Sequence, residues 1–116
     1  MGSVQFDLPD VDDNEPVLVR KRHVARIRNL LIEMRLYLRL AKEANVTFNE
    51  IKEAYRKKGM GRAELIMAMD TNTDAKFAVA DNQMYDRWAA RNAAVITAEI
   101  AAYNMGIHAD DWSKQQ

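Results

Sequence analysis

Seventeen Lys and Arg side chains give this chain its main chemical potential, and they are not spread evenly. Residues 17–68 hold thirteen of them against five acids, a local charge of +8. Residues 1–16 hold five acids (Asp7, Asp10, Asp12, Asp13 and Glu15) and no base, while residues 69–116 hold seven acids and four bases, so the formal net charge is zero. Clustered ammonium and guanidinium groups bind anions. The candidates are Lys21, Arg28, Arg35 and Lys42, seven residues apart, and Lys52, Arg56, Lys57 and Lys58 further on. Their anion is a nucleic-acid phosphate, the chain's own acidic ends, or those of a neighbouring copy. Catalytic residue types are scarce. Ser3 and Ser113 are the only serines and there is no cysteine, which argues against a nucleophile triad, thiolate metal sites and disulfides. His23 sits among bases, and His108 lies in the tail; neither belongs to a paired-histidine metal motif. The expectation is no enzyme, no cofactor and no metal.

Two segments carry patterns with a known chemistry. Residues 37–56, YLRLAKEANVTFNEIKEAYR, resemble the helix-turn-helix of bacterial repressors of the lactose-repressor type. Leu40 and Ala41 stand where the motif buries an aliphatic and a small residue, Asn45 stands at its turn, and Ile51 and Ala54 pack its second helix. The resemblance implies that Thr47, Phe48, Lys52 and Glu53 face a DNA groove. Against it, Glu50 and Glu53 put carboxylates towards phosphates. Asp70-Thr71-Asn72-Thr73-Asp74, with Asp81 at position twelve, resembles a dockerin-type calcium loop, but Ala75 stands where the loop needs glycine.

The elements that must carry these residues read as helices. Gly and Pro are few (four and two), and no stretch is long and apolar enough to span a membrane. A first helix from about Pro16 to Ala44 is marked by Val24, Ile27, Leu31, Met34, Leu38 and Ala41, spaced three and four apart as in a heptad seam. Thr47-Phe48-Asn49-Glu50 reads as a capping box that starts a second helix ending near Lys58. Gly59-Met60-Gly61 breaks it. A short third helix covers Arg62–Met69, and Asp70 or Thr73 caps a fourth that runs from about Asp74 to Met105, with Gly106 as its C-cap. The fourth is rich in alanine. Tyr85, Ala89, Ala93, Ile96, Ile100 and Tyr103 form one stripe on it, and Phe77, Met84, Trp88, Val95 and Ala102 another; Trp88 reads as core.

The expected fold is therefore all-α, an elongated helical hairpin or bundle of two long and two short helices. An extended acidic arm (1–15) precedes the helical domain (16–106), and a tail (107–116) follows. Helices that long, apolar on more than one face, expose more surface than short partners cover. The expected function is a non-enzymatic assembly protein that forms a homo-oligomer. Its interface would use Val24, Ile27, Leu31, Met34, Leu38, Ala89, Ala93, Ile96 and Trp112, with the arm on the basic middle. Small helical parts of phage particles, such as head–tail connectors, share this architecture. The expected partners are further copies and other structural proteins, with nucleic acid, through the hairpin at 40–56, the second choice. The acidic opening lacks the apolar run of a secretory leader, so the expected setting is intracellular or within a virion.

Overall fold

The computed structural model describes residues 18–106. The acidic arm, Pro16, the tail, His108 and Trp112 lie outside the described residues. Three helices, α1 (Leu18–Lys57), α2 (Arg62–Thr71) and α3 (Thr73–Asn104), account for all of them except short turns, with no strand among the described residues. The chain is all-α, with three helices where four were expected.

The difference lies at Thr47. No turn forms there, and α1 is one helix of 40 residues. The Thr47 hydroxyl donates to the Glu43 carbonyl at 3.1 Å, the mid-helix habit of threonine, instead of accepting an amide proton as an N-cap. The physical reason is the apolar spacing. Ala41, Ala44, Phe48, Ile51 and Tyr55 continue the seam without a break, and Asn45-Val46-Thr47 costs under about 0.7 kcal/mol per residue in helix propensity. No non-glycine residue among those described has positive φ, so Asn45 does not make the left-handed turn of the repressor motif. The helix-turn-helix over 40–56 is absent.

The expected breaks at glycine are present. Gly59, at φ +81°, ends α1, its amide bonding the Arg56 carbonyl at 2.9 Å. Gly106, at φ +77°, closes α3 in the same way on Tyr103. Between α2 and α3 a single residue, Asn72, makes the corner. Asn72 is the cap, in place of Asp70 or Thr73: its Oδ1 accepts from the Ala75 amide at 2.9 Å and its Nδ2 donates to the Tyr55 hydroxyl at 2.8 Å. Asp81 lies within α3, which runs unbroken through Asp81-Asn82.

Packing divides the described residues into two compact units, one of residues 18–35 with 90–106, the other Leu36–Ala89. In the first, α1 and α3 lie antiparallel: His23 meets Glu99, and the Leu30 carbonyl accepts from the Asn92 side chain at 3.1 Å. Val24, Ile27, Leu31, Met34, Ile96 and Ala102 form its core. In the second, Tyr37 stacks on Tyr85, and the Ala41 carbonyl accepts from the Asn82 side chain at 2.7 Å. Its core holds Ala41, Leu65, Ala75, Ala78 and Ala89; small residues there let the helices approach closely.

Candidate functional site

The anion-binding candidates do not act as one set. Lys21, Arg28 and Arg35 are exposed on α1 in the first unit, and Lys42 is exposed in the second. Lys52 and Arg56, one turn apart, come together with Arg62, the first residue of α2, because the Gly59 turn folds the chain back at that point. These three bases rim a groove of about 580 Å³. Its apolar lining is Phe48, Met60, Leu65, Ile66 and Met69, and its one acid is Asp70. Phe48 and Lys52 are half-buried, Leu65 is buried and Ile66 is 52% exposed, so the floor is apolar and the rim wet. Lys57 and Lys58 stand exposed beside it, the Lys58 ammonium 5.6 Å from the centre of the Tyr55 ring. The Arg56 guanidinium lies 3.3 Å from Glu53, an exposed pair of small net value. Sequence reasoning placed Arg62 beyond the basic cluster Arg56, Lys57 and Lys58 but missed the groove, because the turn alone brings the two segments together.

A second surface runs along α3 in the same unit. Phe77, Met84 and Trp88, spaced seven and four apart, share one face; Phe77 is 63% exposed, Met84 half-buried and Trp88 37% exposed. Trp88 is not core. Its ring packs edge-to-face with those of Tyr37 (5.3 Å between centroids) and Tyr85 (5.6 Å).

The seam residues are used inside the chain. Val24, Ile27, Leu31, Met34, Ala89 and Ile96 are each at most 4% exposed, and Leu38 and Ala93 are half-buried. Their burial inside the chain leaves little of their surface open.

One buried cluster was unforeseen. His23 and Glu99 are buried, their Nε2 and Oε2 2.9 Å apart, and the Arg26 Nε lies 3.2 Å from Glu99 Oε1. The Arg26 guanidinium sets a permanent positive charge against the buried Glu99 carboxylate, and His23 adds one only when protonated. The Tyr103 ring packs edge-on to His23 at 5.6 Å. An imidazole beside a carboxylate is an acid–base pair, but exposures of 1% and 0% admit no substrate. Its role is to join α1 and α3. The signal for it was Glu99 standing three residues after Ile96, on the packed side of an otherwise apolar helix. Among the described residues no group of three or more His, Asp or Glu side chains is placed to hold a metal ion, and no helix is long and apolar enough to cross a membrane.

No family model, curated protein sequence or solved structure matches this chain.

Proposed function

We propose that this chain is a non-enzymatic helical interaction protein that works by associating with further copies of itself. The observation that carries the proposal is the face of α3 on which Phe77 and Trp88 are exposed and Met84, between them, is half-buried. Large apolar side chains at helical spacing, outside the core, form the surface that a second helix covers. A net charge of zero removes long-range repulsion between copies and favours their approach. A structural part of an assembled particle, such as a phage connector, is a setting that suits such a chain, although fold alone does not fix function.

Fully burying a Phe side chain is worth about 1.5–3 kcal/mol, and Phe77 is 63% exposed before association. Phe77→Asp therefore weakens self-association by about tenfold or more, since each 1.4 kcal/mol is a factor of ten. Sedimentation velocity of the wild type and the variant over a range of concentrations tests this. A wild-type chain that stays monomeric throughout sinks the reading. The repressor reading loses its geometric basis with the missing hairpin.

A further inference from the structure

Resting on the self-association reading, we infer that the groove at the α1–α2 turn is the docking site for the acidic N-terminal segment of a second copy, residues 4–15. The groove is rimmed by Lys52, Arg56 and Arg62 over a floor that includes Phe48 and Leu65. Its occupant must offer several carboxylates and a few apolar side chains within a short length. The seventeen residues ahead of α1 supply both. They hold five acids and no base, with Val4, Phe6 and Leu8 at alternate positions. In an extended backbone, alternate residues point the same way, and Pro9 keeps Leu8 out of helical geometry. A segment bound this way would offer Phe6 and Leu8 to the apolar floor and its carboxylates to the basic rim.

The charges are opposite in sign. Three bases and Asp70 leave the groove with an excess of two positive charges, and the segment brings five negative ones. The Glu53 carboxylate near Arg56 is an exposed neighbour that an incoming acid can replace at little cost. A segment that docks on a second copy closes as a reciprocal two-fold exchange, or joins successive copies into rings or open chains.

Charge reversal in the full chain tests this. One variant carries Asp10→Lys, Asp12→Lys and Asp13→Lys; the other carries Lys52→Glu, Arg56→Glu and Arg62→Glu. Helical circular dichroism checks that both fold. By sedimentation velocity, each variant alone associates about tenfold or more weakly than wild type, as expected when like charges face each other. An equimolar mixture of the two recovers association, because each segment then meets a groove of opposite sign. Wild-type association that neither reversal weakens overturns the groove assignment and leaves self-association standing. A monomeric wild type overturns the self-association reading itself, and the second-copy docking with it. A mixture that stays dissociated, while one chain carrying all six changes associates, places the segment in its own chain's groove and overturns the second-copy assignment. Duplex DNA binding that the groove reversals abolish, with association unchanged, assigns the groove to phosphate and overturns the inference.

Discussion

Removing Glu99 should cost more stability than any surface change in this protein. Its carboxylate is fully buried, 2.9 Å from His23 and 3.2 Å from Arg26. Glu99→Ala opens a cavity and leaves the His23 imidazole buried without its partner. Breaking a buried pair by deleting one member costs about 3–5 kcal/mol, out of a typical total of about 5–15 kcal/mol. The melting midpoint should fall by about 12–20 °C for a chain of this size. The Glu53–Arg56 pair is the control. It has a similar separation, 3.3 Å, but both side chains are more than half exposed. Glu53→Ala should therefore cost less than about 1 kcal/mol, since solvent screens the pair. A third variant separates charge from packing. His23→Leu with Glu99→Leu fills the site with apolar groups, and buried ion pairs replaced in this way are often neutral or stabilised; Arg26 is 42% exposed and can turn to water. Urea denaturation followed by circular dichroism gives all three free energies. If Glu99→Ala and Glu53→Ala cost the same, burial is not what sets the value of these charges, and the reasoning fails.

Three smaller predictions concern helix ends. Gly61 caps α2 without a side-chain bond, and a Cβ there meets nothing within 4 Å. Gly61→Ser completes a capping box with Glu64 and should raise stability by a few tenths of a kcal/mol, read as a higher thermal midpoint. Asn72→Ala removes the α3 cap and the Tyr55 bond together, and should cost about 1–2 kcal/mol in chemical denaturation. Gly59→Ala forces a Cβ into a left-handed backbone at φ +81° and should cost about 1–2 kcal/mol by the same measurement, although space around it is open.

How far the sequence was readable depended on the range of each signal. The apolar spacing of Val24, Ile27, Leu31, Met34 and Ala41 marked the packed face of α1, and Gly59 and Gly106 marked helix ends, because periodicity and backbone freedom are local properties. Thr47-x-x-Glu50 misled because a cap is worth about 1 kcal/mol, while the apolar face that runs on through Phe48, Ile51 and Tyr55 is worth several. His23, among Lys21, Arg22 and Arg26, read only as a poor place to bind a cation, yet it stands four residues before Ile27, on the packed face. Its partner is seventy-six residues away in sequence, and no local pattern links the two. Trp88 lay in line with Met84 and was assigned to the core, but it packs edge-to-face with two tyrosines and stays 37% exposed. The groove was illegible for a similar reason: Arg62 joins Lys52 and Arg56 only after the chain has turned.

The short helix α2 buries a single residue, Leu65, and leaves Ile66 and Met67 52% and 70% exposed. Little apolar contact means little free energy holding it shut. Its amide protons should therefore exchange with deuterated solvent earlier than those facing the cores in α1 and α3, through local opening with the rest of the fold intact. Whatever settles against α2 supplies contacts the chain itself withholds, and the slowing of its exchange would record that occupancy.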